Sequence, residues 1–237
     1  MTDEPTTTPD AEEGGVPAWA VGSGLDTDMT GDPRPDSGKG LRFWIPKATE
    51  KKIIFLTEGN AAPVIWEHQF RMGGKWTNWA TCLEPLRMKC GLCDWALGND
   101  GNYSRSKVVV FTIIDTDKFT DKAGKERSMT KRLLVAKKET AELLKRKYAT
   151  QLEEGRGLRG AMFKVYRSNA DTSASVGTDF EYMKHVDLAT LPDAEELPYA
   201  EILAPNPDAM KRIVERLKAE SGAGGGGVEG TGTEVDY

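Results

Sequence analysis

The sequence predicts a mainly β fold with two or three helices, an α+β class. Three observations predict it. Short segments that alternate or are β-branched follow one another closely, two longer segments carry apolar residues at helical spacing, and three cysteines and one histidine gather around a predicted hairpin.

The elements follow in chain order. Residues 1–38 are rich in Thr, Pro, Gly and Asp and bury too little to offset the entropy of ordering, so they are expected to be a disordered acidic segment. Trp19 is the exception, and it is left open whether it docks on the domain, docks on a neighbouring subunit or stays exposed. Residues 52–56 read as a strand. In 64–70, Val64, Trp66, His68 and Phe70 share one face. Gly73-Gly74 suits a hairpin turn, and 76–81 returns as the second strand. Lys107 to Asp115 is the strongest β segment, and Met129 to Val135 and Ala161 to Arg167 are two more. Lys138 to Glu154 reads as a helix through Leu143, Leu144, Tyr148 and Leu152, stopped by Gly155. A second helix starts at Asn206-Pro207-Asp208, with Asn as cap and Pro at its first position, and presents Met210, Ile213, Val214 and Leu217. The expected organisation is a core over 39–190 with a metal subdomain at about 64–100, a helical extension over 191–220, and a Gly-rich acidic tail over 221–237.

Composition bounds the rest. The 237 residues are 38% hydrophobic and 29% charged, ordinary for a soluble globular chain. No run approaches the ~18 apolar residues of a membrane span. Met1-Thr2-Asp3-Glu4-Pro5 has neither the basic nor the apolar part of a signal peptide. A cytoplasmic location with reduced thiols is therefore expected. The net charge of −5 is unevenly spread: 1–35 and 186–237 are acidic, whereas 36–185 hold an excess of Lys and Arg. A basic middle attracts phosphates, and acidic flanks compete with them.

His68, Cys82, Cys90 and Cys93 form the pattern H-x13-C-x7-C-x2-C. Two thiolates of a C-x-x-C hook grip one side of a metal, with Gly91 expected to relieve the turn. Three thiolates and one imidazole suit a single closed, tetrahedral structural zinc, with Asp94 and His185 as substitutes for the fourth ligand. A closed site leaves no position for a catalytic water. A redox C-x-x-C would sit in a thioredoxin-like βαβ pattern, which does not surround this one.

Residues Lys52 to about His185 resemble the zinc-containing single-stranded DNA-binding proteins of T-even bacteriophages, the gene-32-protein type. The resemblance runs through Ile53-Ile54-Phe55-Leu56, Ala62-Pro63-Val64, His68, Gly74-Lys75-Trp76, Thr81-Cys82 and Cys90-x-x-Cys93. It continues through Gly160-Ala161-Met162-Phe163-Lys164-Val165 and Phe180-Glu181-Tyr182. It implies a five-stranded OB-like barrel, an inserted zinc subdomain and an acidic C-terminal region that contacts replication or recombination proteins. That family has a basic N-terminal segment for cooperative self-association, and here the N-terminus is acidic. Self-association on DNA stays open.

Single strands are held by cations along the phosphates and rings against the bases. The candidate cations are Arg71, Lys75, Arg105, Lys107, Lys131, Arg132 and Arg167, and the candidate rings are Trp76, Trp79, Tyr103, Tyr166, Phe180 and Tyr182. Core packing is the competing role for each ring, and it is preferred for Trp66 and Phe111. The expectation is a protein that protects single-stranded DNA in replication, recombination or repair, not an enzyme, with its tail weakly occupying the groove. Two rivals stand beside it. A nuclease would use Asp115 and Asp117. A zinc-ribbon module on duplex DNA or the transcription machinery would use Lys145, Arg146 and Lys147.

Overall fold

The structure is a computed structural model that describes residues 20, 22–23, 41–72, 75–97, 103–120 and 126–223. Trp19, the other residues of 1–40 apart from 20 and 22–23, the expected turn at 73–74, residues 98–102 and 121–125, and the expected tail beyond 223 lie outside the described residues. So do the side chains of Lys75, Trp76 and Trp79.

The strands are β1 (Gly22–Ser23), β2 (Thr49–Phe55), β3 (Pro63–Met72), β4 (Lys75–Thr81), β5 (Tyr103–Asp115), β6 (Phe119–Thr120), β7 (Glu126–Arg127), β8 (Thr130–Ala136), β9 (Ala161–Arg167) and β10 (Asp179–His185). The helices are α1 (Gly91–Ala96), α2 (Lys138–Glu153), α3 (Tyr199–Ile202) and α4 (Pro207–Ala223). Eight strands form one sheet, and β6 and β7 form a separate hairpin.

β5 organises the sheet. It pairs β3 along Tyr103 to Val109. Farther along it pairs β8 from Val109 to Asp115 and β2 from Ile113 to Asp115. A strand paired on both edges and covered on both faces reads as an unbroken apolar run, which accounts for Val108-Val109-Val110-Phe111. One face packs Phe55 edge-on against Phe111 and Phe163, at 5.4 and 5.6 Å between ring centres. Ala141, Leu144 and Tyr148 of α2 close that core. The other face is covered by residues 186–203, through Leu188 and Leu191 over Ile54 and Ile114 and Leu203 over Val108 and Val110. No described helix is long and apolar enough to cross a membrane.

The sheet is antiparallel and does not close into the five-stranded barrel that the resemblance implied. β10 pairs only β9. The free edge of β8 is taken by the extended residues 41–43 instead, through Phe43 N–H to Leu133 O at 2.8 Å and Leu133 N–H to Leu41 O at 2.8 Å. Nor is the stretch from 191 a mere appendage. The hydroxyl of the half-buried Tyr199 accepts from the Thr112 amide at 2.6 Å and lies 2.6 Å from Thr57 Oγ1. α4 then lays Met210 and Leu217 onto a second core around Cys82, Cys90, Leu92 and Trp95.

Candidate metal centre and nucleic-acid face

Two elements and one short helix assemble the cysteine–histidine cluster. β3 holds His68 fully buried. A bulge in the β3–β4 pairing falls between His68 and Phe70, where β4 has one residue more than β3. Cys82 follows β4 directly, and its amide donates to Trp66 O at 2.9 Å. Cys90 caps α1 in an extended conformation, and Cys93 sits in the first turn of that helix. Gly91 opens α1 and has no positive φ, so its part is not the left-handed turn expected of it.

The donor atoms of His68, Cys82, Cys90 and Cys93 all lie within 4.8 Å of one another. His68 Nε2 is 3.2 Å from Cys90 Sγ and 3.8 Å from Cys93 Sγ, and Cys82 Sγ is 3.7 Å from Cys93 Sγ. Metal–sulfur bonds of ~2.3 Å in a tetrahedron put neighbouring ligands about 3.7 Å apart, so the set can hold one metal ion. The two substitutes are placed elsewhere: Asp94 is exposed and pairs with Lys89 at 3.2 Å, and His185 is exposed at the end of β10.

Each donor has an outer partner. The Tyr103 hydroxyl is 2.5 Å from His68 Nδ1. An Nδ1–H donating to that oxygen leaves Nε2 bare toward the sulfurs. The Glu84 amide reaches Cys82 Sγ at 3.5 Å, Arg105 Nη1 reaches Cys93 Sγ at 3.6 Å, and Cys90 Sγ lies 3.3 Å from Met210 Sδ. Without a cation the thiols constrain one another. Hydrogen bonds from the Cys82 and Cys93 thiols hold Cys90 well below the thiol range. The Cys90 contact pushes Cys82 up to about 11, and the Cys82 contact raises Cys93.

The expected DNA contacts divide. Tyr103 and Phe180 are buried, which corrects their reading as base-stacking rings: Tyr103 serves His68, and Phe180 packs on Phe163. Arg105 is half-buried and engaged by Glu84 at 2.5 Å and by Cys93, so it is not the open phosphate contact expected of it. Its guanidinium lies 4.5 Å from the centre of the Trp66 ring, with Lys107 at 5.3 Å. Arg167 is a clamp that donates to Ile45 O at 2.9 Å and Ser173 Oγ at 3.1 Å. Lys131 pairs with Asp193 at 2.5 Å. Arg132 is half-buried, Tyr182 is half-buried beneath Arg156, and Arg71 and Tyr166 are exposed.

One feature escaped the sequence reading. Arg42, Phe43, Trp44, Val135, Lys137, Arg167 and residues 171–176 line a cavity of about 530 Å³. Trp44 is 57% exposed there, while Phe43 and Ile45 on either side of it are buried. The alternation in Arg42-Phe43-Trp44-Ile45, with cations at 42 and 47, was the signal that could have found it.

The rival sites are also placed. Asp115 and Asp117 share the Lys51 ammonium, at 2.5 and 3.8 Å. Lys145 and Arg146 lie exposed on α2, and Lys147 sits 3.9 Å from Asp179. No protein-family model matches the chain, and no curated protein matches it either.

Proposed function

We propose that the protein binds single-stranded DNA without sequence preference, and that its metal is one structural zinc. The Trp44 groove carries the first part. It offers an exposed indole beside Lys137 and the cationic side chains of Arg42, which pairs with the buried Glu67, and Arg167, the clamp on Ile45 and Ser173, with the carboxylates of Glu139 and Asp171 also on its wall. Lys47 engages Asp171 at 2.5 Å and so offsets one of those charges. An exposed ring takes an unpaired base at ~1–3 kcal/mol, and a duplex has no unstacked base to give it. The excess of Lys and Arg over 36–185 supports the same reading.

Zinc is supported by the donor set. Thiolate and imidazole together favour it, and four protein donors leave no open position, so the ion braces the fold and does not activate water. The resemblance to the gene-32-protein type supports both parts and an OB-type ancestry for the sheet. On this reading the acidic tail recruits replication or recombination proteins.

The test is a titration of labelled oligo(dT) followed by anisotropy, with unlabelled duplex as competitor, at two salt concentrations. Trp44→Ala is expected to weaken binding by about 5- to 150-fold. Affinity for the native protein should fall as salt rises. Equal competition by duplex, or an unchanged Trp44→Ala, would sink the reading.

A further inference from the structure

Three thiolates around a divalent cation leave one net negative charge in a largely buried cluster. A buried charge needs a partner. One cationic side chain, Arg105, is placed against a ligand. Arg105 stands opposite His68 in the β3–β5 register, so pairing of the two strands sets it beside the cluster. Its Nη1 reaches Cys93 Sγ at 3.6 Å. Its guanidinium lies over the Trp66 ring at 4.5 Å, and Glu84 holds it at 2.5 Å. Glu84 in turn donates its own amide to Cys82 Sγ. Lys107 shares the Trp66 ring at 5.3 Å.

We propose that Arg105 is the counter-charge of the loaded metal centre, a positioning residue that Glu84 and Trp66 aim at the Cys93 sulfur. The inference rests on the metal reading and adds to it the residue that retains the ion. A guanidinium on a thiolate withdraws charge from the sulfur. The metal–sulfur bond is then less open to protonation and to attack by electrophiles. The planar fork suits this position better than an ammonium would, because it can stack on the indole and donate to the carboxylate and the sulfur together. Glu84 adds negative charge of its own, but it touches the centre through an amide donor and the arginine it anchors. Its effect on the sulfur therefore runs through Arg105.

The experiment uses the full chain loaded with Zn²⁺ or Co²⁺. Affinity is read by competition with a chromophoric chelator, and release by the rate at which a thiol reagent frees the ion. Arg105→Gln is expected to lower affinity about 10- to 100-fold and to speed release. Arg105→Lys should recover part of the loss. Glu84→Gln, which loosens the anchor and leaves the stack, should show a smaller loss. It carries the test if Arg105→Gln does not fold. In the Co²⁺ form the sulfur-to-metal charge-transfer band should shift in Arg105→Gln, which a merely structural arginine would not cause. Affinity and release within twofold of the native protein in a folded Arg105→Gln and in Glu84→Gln, with an unmoved band, would overturn the proposal. A native chain that takes up no metal would overturn both it and the metal reading, so the two failures are distinguishable.

Discussion

At Cys82 and Cys93 a proton and a metal compete for the same sulfur lone pair. In the metal-free cluster the contact with Cys90 puts Cys82 at about 11, and Cys93 is raised by its contact with Cys82. Both thiols are therefore protonated at neutral pH, and ligation must release their protons. The sign follows: affinity climbs as pH rises and falls as it drops, so the folding free energy that the metal adds is lost toward acid. Each thiol proton that the metal displaces adds about a tenfold change in affinity per pH unit around neutrality. Chelator competition at pH 6, 7 and 8 measures the slope, and a flat response would mean that the thiols are not the ligands. His68 and its Tyr103 partner show why the ligand set was legible while its surroundings were not. Spacing along one chain brings out H-x13-C-x7-C-x2-C, but Tyr103 and Arg105 reach the cluster through the register of β5 on β3, which only strand pairing reveals.

The two long helices were the most legible elements, because their ends carry local chemistry. Gly155 takes φ +70, its amide bonds Leu152 O, and the Arg156 amide bonds Gln151 O, the double closure of a left-handed helix stop. Asn206 Oδ1 accepts the Ala209 amide at 2.8 Å at the start of α4. Asn206→Ala is expected to cost about 1 kcal/mol, read as a lower urea midpoint at unchanged slope. No change in midpoint would mean that packing on Leu92 and Trp95 alone holds the helix. Strands β3, β4, β8 and β9 were also legible within a residue or two, because alternation marks a face. β5 runs four residues farther back than its β-branched stretch suggested. Tyr103-Ser104-Arg105-Ser106 look like a polar loop until β3 pairs with them. α1 was missed because six residues show too few turns for a period, and its place depends on the cysteines it carries. The closed barrel is not seen, and the reason is long-range: residues 41–43 occupy the β8 edge, and no local pattern announces which segment takes an edge.

Among the described residues, two of the buried clusters meet along β3 and β5. The larger one, around Phe55, Phe111 and Phe163, is sealed by α2 and needs no metal. The smaller one joins Phe70, Leu92, Trp95, Met210 and Leu217 to the cysteines, and its centre is the donor cluster itself. α1 packs Leu92 and Trp95 into this core, and on the proposed metal reading an ion held by the three thiolates and the imidazole ties that packing to β3 and β4 and so fixes the lobe. α4 rests on α1 and the cluster, with Met210 Sδ at 3.3 Å from Cys90 Sγ. The stretch leading to it is tied independently to the sheet, by Tyr199 on Thr112 and by Thr81 Oγ1 on Leu203 O at 2.6 Å. Removing the metal should therefore release α1 and α4 and spare the sheet. Hydrogen exchange before and after chelation is expected to lose protection over 90–96 and 207–223, and to keep it over 49–55, 108–114 and 161–167. The 186–203 cover should stay closed, because its apolar anchors lie on the larger sheet. Uniform loss across all of these segments would mean that the two cores unfold as one unit. No loss at all would mean that the sulfurs hold the lobe without a metal.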